Sequence, residues 1–184
     1  MSFAIKLHTT KTKDIVPTIN DVPIHSLLNP VREAEVFATN FMSQLSTNPN
    51  ILILGLGFGY HVEEIERLLR LKHKTYKISV IEGISELARS CQSYRGLNKA
   101  VSVFTSTDPE DLFLNEEFCK FLLKKPTLVM HPVLYRLSEN YYRKVLTRRA
   151  SVDSEKWRLP KALASYELKQ KWMNALGELK HAEY

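Results

Sequence analysis

An α/β fold with a parallel sheet is predicted by three features of this sequence. The first is the stretch 51–60, ILILGLGFGY, where four apolar residues run into glycines at alternate positions and a helical pattern begins at once. The second is the alternation downstream of it: 77–81, 100–105 and 127–130 read as further strands, each preceded by a helical segment. The third is the unbroken apolar run of 51–54, which suits a strand covered on both faces. Strands separated by helices connect through right-handed crossovers. The expected sheet is therefore Rossmann-like, of order 3-2-1-4, with its ligand crevice at the C-terminal ends of the first and fourth strands.

Each element has a local reason. Residues 3–8 alternate weakly between apolar and polar, and 15–19 is a second extended segment; together they predict an antiparallel hairpin whose second arm Pro17 pushes toward an edge. Asn29 can cap a helix that starts at Pro30 and carries Ala34, Phe37, Ala38, Phe41 and Leu45 at helical spacing. After the glycines, Val62, Ile65, Leu68 and Leu69 form the inward stripe of a helix over 60–71, with His61, Glu63, Glu64, Glu66 and Arg67 on its other face. Ser85 opens a helix that Gly96 stops, Thr107–Glu110 begins another, and 116–125 is helical until Pro126. Residues 138–149 make a helix with Tyr142, Val145 and Leu146 inward, and 159–179 repeats the pattern.

Composition bounds the rest. At 44% hydrophobic and 25% charged, the 184 residues suit a soluble globular chain. No apolar run nears the roughly 18 residues of a membrane span, and the N-terminus lacks a secretory h-region, so a cytoplasmic location and no membrane partner are expected. Cys91 and Cys119 sit among apolar neighbours without metal-type spacing and read as buried free thiols. Charge is uneven: residues 1–135 carry 15 Lys or Arg against 14 Asp or Glu, whereas 136–184 carry 11 against 6. This divides the chain into an α/β domain over 1–150 and a basic helical extension over 151–184. The extension suits a docked protein partner better than nucleic acid, although basic residues interleaved with aromatics can serve either.

The chemistry concentrates at the glycines. Gly55, Gly57 and Gly59 allow a turn that side chains obstruct, and the helix behind them offers unpaired amides and a positive dipole end to an anion or adenosine-type ligand. A dinucleotide fingerprint would need glycine at position 60, where this chain has Tyr60. The GxGxG spacing instead resembles the S-adenosylmethionine loop of class I methyltransferases, which implies that cofactor and a transferase activity. Those enzymes commonly carry an acidic residue two positions before the first glycine, where Ile53 stands here. Equally, three glycines can serve only to close a strand-to-helix turn. Glu82, at the end of the second sheet strand, is placed to accept hydrogen bonds from ribose hydroxyls, or to cap the next helix. Gly55, Gly57, Gly59, Tyr60 and Glu82 are thus the cofactor-binding candidates.

Further candidates flank them. His25, Ser26, Asn29, Arg32 and Glu33 cluster before and within the first helical turn, facing a ligand or merely capping. His61 could face the crevice; with Glu64 three positions on it makes only two donors, too few for a metal, so no metal site is expected. His131 leaves the fourth strand in a loop at the crevice and is the candidate acid or base, or a structural turn residue.

These residues carry a resemblance. The ordered set of Ile24-His25-Ser26, Asn29-Pro30, Arg32-Glu33-Ala34, Gly55-Leu56-Gly57-Phe58-Gly59-Tyr60-His61 and Val80-Ile81-Glu82 resembles the Rossmann-type domain of the motility accessory factor family. Those bacterial proteins are implicated in transferring nonulosonic acids to flagellin and are related to hydroxymethylpterin pyrophosphokinase-like proteins. The Gly-Pro-Ser-Leu loop of the family's transferase domain is absent from this sequence, and Gly83 stands where proline is common. The resemblance therefore implies the accessory domain and not glycosyl transfer. A non-catalytic interaction module is the alternative it leaves open.

Overall fold

A computed structural model describes residues 3–147. The basic extension over 151–184, with the helix expected over 159–179 and the basic pair Arg148 and Arg149, lies outside the described residues. The N-terminal segment forms β1 (Ile5–Thr9), β2 (Ile15–Ile19) and β3 (Val22–Pro23), an antiparallel meander in that order. The turn into β3 places Asn20 and Asp21 at φ of 50° and 62°, the left-handed pair that tight hairpins need. The predicted hairpin has therefore gained a third strand, and Pro17 lies in the middle strand rather than on an edge. Its carbonyl accepts from Ile24 N, just past the end of the two-residue β3. The proline nitrogen thus faces the same side as its carbonyl, away from β1, so the β1–β2 ladder loses no bond.

Asn29 caps α1 (Pro30–Thr39) as expected, accepting from Arg32 N at 2.8 Å. The helix stops at Asn40, and α2 (Met42–Thr47) continues the path. The Thr39 hydroxyl donates to Glu35 O and Asn40 N turns back to Phe37 O, local bonds that compete with another helical turn.

The chain then forms β4 (Asn50–Leu54), α3 (Tyr60–Lys72), β5 (Lys77–Glu82), α4 (Ser85–Tyr94), β6 (Val101–Thr105), α5 (Pro109–Leu112), α6 (Glu116–Leu122), β7 (Thr127–Met130), α7 (Pro132–Leu137) and α8 (Glu139–Thr147). The four long-range strands pair in parallel in the order β6-β5-β4-β7, which is the 3-2-1-4 order of a Rossmann-like sheet. Alternate residues of the central strands feed two cores. Ile51, Ile53, Ile78 and Val80 pack with the meander, α1, α3 and α4, while Leu52, Leu54 and Ile81 pack with α5, α6 and α8. Cys91 and Cys119 are buried and unbridged, and burial pushes the Cys91 thiol up to about 12.

The segment after β7, expected as a loop, is instead α7. His131 is its N-cap, accepting from Leu134 N, and Pro132 fills the first helical position where a missing N–H costs nothing. Tight backbone bonds link the sheet to both flanking segments: Gly55 N donates to Ile81 O and His131 N to Leu54 O.

Candidate functional site

The glycine loop crosses the C-terminal ends of β4, β5 and β7 with Gly55, Gly57 and Gly59 at φ of 96°, 55° and 77°. What lies against it is the chain itself. A Cβ at Gly57 would come within 2.5 Å of His25 Nε2, and one at Gly55 within 2.9 Å of the Leu134 side chain. The absence of side chains here lets His25 and Leu134 pack directly on main chain.

Glu82 occupies the β5 flank of the loop. Its Oε2 accepts from Leu56 N at 2.8 Å and Gly57 N at 3.2 Å, and its Oε1 from Ile84 N at 2.9 Å. The Tyr142 hydroxyl completes the set, bonding Glu82 and accepting from Gly83 N. The carboxyl is fully buried. Burial raises its pKa, while the three amides pull it back down. Glu82 therefore organises the loop and also holds the amide of Ile84 just before α4, a helix that has no side-chain cap. Just outside it a cavity of about 510 Å³ opens, lined by Gly83, Thr107, Arg136, Ser138, Asn140 and Tyr141. The Tyr141 ring lies against Gly83, whose added Cβ would meet it at 2.8 Å.

Three histidines occupy the β7 flank. His25 follows β3, His61 is the second residue of α3, and His131 caps α7; all three are buried. Their ring centroids are 4.7 Å apart for His61 and His131, 5.1 Å for His25 and His131, and 5.8 Å for His25 and His61. His25 Nε2 accepts from Phe58 N at 3.0 Å, which fixes a proton on Nδ1, 3.9 Å from Glu33 Oε2. His61 Nε2 donates to Gly55 O at 2.9 Å, and its Nδ1 is buried without a hydrogen-bond partner. Phe37 packs against both His61 and His131. Burial holds His61 down at about 4, and burial with the neighbouring rings holds His25 and His131 well below the ordinary imidazole range.

No protein-family model matches this chain, and no curated protein matches it. Among solved structures, MNMC2 from Aquifex aeolicus is similar at a TM-score of 0.43 and 12% identity, covering 97% of this chain and 86% of that one. Spermidine synthase from Thermotoga maritima gives 0.49 and 14%, covering 78% and 60%. A probable spermidine synthase from Corynebacterium glutamicum gives 0.43 and 14%, covering 70% and 60%. This chain thus spans 60% of the length of each synthase. The Rossmann-like assignment stands on the strand order itself.

The remaining candidates sort by position. Glu64, expected beside His61, pairs instead with Arg67 at 2.6 Å, and His61 turns inward rather than onto the polar helix face. Tyr60 is buried, its hydroxyl donating to Ile15 O at 2.8 Å and its ring 3.8 Å beneath the Arg95 guanidinium. Ser26 caps the turn before α1 through Leu28 N and Asn29 N, and Glu33 accepts from Ser26 N. Arg32 is exposed and pairs with Glu35. So His25, His61 and His131 come together, Glu33 stands behind His25, and Asn29 and Arg32 serve the helix. Sequence reasoning missed Tyr141, Tyr142 and Thr107; the tandem tyrosines were the available signal, hidden because Tyr142 also fits an apolar stripe. Among the described residues no helix is long and apolar enough to cross a membrane.

Proposed function

We propose that this Rossmann-like domain binds a nucleotide-containing ligand, with S-adenosylmethionine the first candidate, in the cavity beside Glu82. The supporting observation is the position of that cavity of about 510 Å³ at Gly83 and Thr107, beyond the C-terminal ends of β5 and β6. Its size suits a small-molecule pocket, and ligands of open parallel sheets enter at that end of the strands. An adenosine laid along Gly83 would meet the Tyr141 ring. Glu82 and Tyr142, bonded to each other and fully buried, stand behind this wall and hold the backbone at Gly83 in place. A methyl transfer here would work through positioning, with few dedicated acid or base groups.

A second reading has its own support. Leu27, Leu28, Val31 and Val36 are exposed before and along α1, which suits an interaction module of the kind the motility accessory factor resemblance implies. Thermal unfolding with S-adenosylmethionine, S-adenosylhomocysteine, ATP and nucleotide sugars separates the two, in the wild type and in Thr107→Trp, which fills the cavity from its exposed side. Ligand at 100 times its dissociation constant adds about 2.7 kcal/mol, a rise of roughly 5–10 °C in Tm, and the rise disappears in Thr107→Trp. No shift with any of these ligands overturns nucleotide binding and leaves the interaction module.

A further inference from the structure

We propose that His25, His61 and His131 form a binding site for a divalent transition-metal ion of the zinc type. The site is separate from the nucleotide cavity and does not depend on it. One ring nitrogen from each residue lies within 4.8 Å of the other two. Three points so spaced lie no more than about 2.8 Å from their common centre, against a zinc–nitrogen distance of roughly 2.0–2.1 Å. Ring tilts of under an ångström close the difference.

The state of His61 is what points to an ion. Its Nε2–H is already committed to Gly55 O, so the lone pair sits on Nδ1, buried and unpartnered. That is the arrangement of a metal-ligating histidine, in which the second nitrogen donates to a carbonyl and fixes the tautomer. An ion supplies the partner this atom lacks. Behind His25, the Glu33 carboxylate at 3.9 Å from Nδ1 can draw in to orient the ring in the same way. Coordination through the nitrogens that now accept would cost His25 and His131 one backbone amide each, from Phe58 and Leu134, and the second of these bonds is already long at 3.3 Å. Those losses are small beside the energy of a structural zinc site.

The donors also define the ion. Three imidazoles with no carboxylate or thiol among them favour zinc, cobalt, nickel or copper over magnesium or calcium. The ligands arrive from the meander, from α3 and from the start of α7, so an ion would cross-link three segments at the switch point of the sheet.

Cobalt(II) titrated into chelator-treated, full-length wild-type protein tests this. Expected are the visible bands of a four-coordinate site of three imidazole nitrogens and one water, saturating at one ion per chain and displaced by zinc. His61→Gln should weaken binding by at least about 100-fold, while His8→Gln, an exposed histidine on β1, leaves it unchanged. Paramagnetically shifted imidazole N–H signals in the cobalt-loaded wild type provide a readout that needs no variant. No saturable uptake, or uptake with unshifted histidine signals, overturns the proposal. So does binding that survives in a folded His61→Gln, which would assign it to surface groups.

Discussion

The two flanks of the glycine loop hold buried polar groups in opposite states. On the β5 flank, the Glu82 carboxyl meets three backbone amides and the Tyr142 hydroxyl and has a full set of partners, while the neighbouring Tyr141 hydroxyl, beside the cavity, is buried without one. On the β7 flank, three imidazoles share a space in which the His61 Nδ1 acceptor goes unmet. A complete set of partners marks a group that builds the fold, because burying it is already compensated. An incomplete set marks a place where something else belongs. The carboxylate read from the sequence as a ribose acceptor or a cap holds the loop together, and His25, His61 and His131, read there as ligand-facing residues and as an acid or base, gather on the other flank.

Removing the complete set should have the largest effect. Glu82→Ala leaves Leu56, Gly57 and Ile84 amides buried without an acceptor, and should cost about 3–5 kcal/mol in urea unfolding; a loss under about 1 kcal/mol would mean that the loop does not need its carboxylate. Next comes pH, where the flanks should oppose each other. His61 is held down at about 4 from 6.5, so the unfolded chain takes up the proton first. Its contribution is present above about pH 6.5 and lost as pH falls through 4, roughly 3 kcal/mol in all. Glu82, with its pKa raised, has the opposite sign, contributing at low pH and losing that contribution as pH rises. Chelator-treated wild type should therefore weaken toward pH 4, and Glu82→Gln should weaken more steeply; a profile flat in both proteins would refute the burial of neutral histidines.

The smallest effect separates strain from contact. Gly57 and Gly96 share positive φ, at 55° and 67°, but a Cβ at Gly96 meets nothing within 4 Å whereas one at Gly57 meets His25. Gly96→Ala should cost about 1 kcal/mol for backbone strain alone, and Gly57→Ala about 2 kcal/mol more as His25 is displaced. Equal costs would show that the His25 contact carries no weight.

The fold was legible because its signals are local. The run 51–54, the three glycines, Glu82 at a strand end and Asn29 before Pro30 each announce a neighbourhood of a few residues, and the sheet order follows from them. The histidine cluster was not legible for the converse reason. Its members sit 36 and 70 residues apart, at positions 25, 61 and 131. Each had a sufficient local explanation, as a residue before a cap, on a helix face and before a proline. Reading His61 with Glu64 used the spacing within one helix, whereas its partners come from two other segments. Histidine is a rare N-cap, which is why 131–137 passed for a loop. Pro17 misled because edge strands are inferred from proline alone, and β3 is too short to be seen in the sequence.

The central strand has one further consequence, in the time domain. Ile51 pairs with Ile78 on one side and with Thr127 on the other, partners 27 and 76 positions along the chain. Closing the longer loop costs about 0.9 kcal/mol more chain entropy than closing the shorter one, and contacts distant in sequence reward the chain only after that cost is met. The flank that carries His131 is thus the expensive one to close, and the three imidazoles meet only when the most distant pairing in the sheet is made.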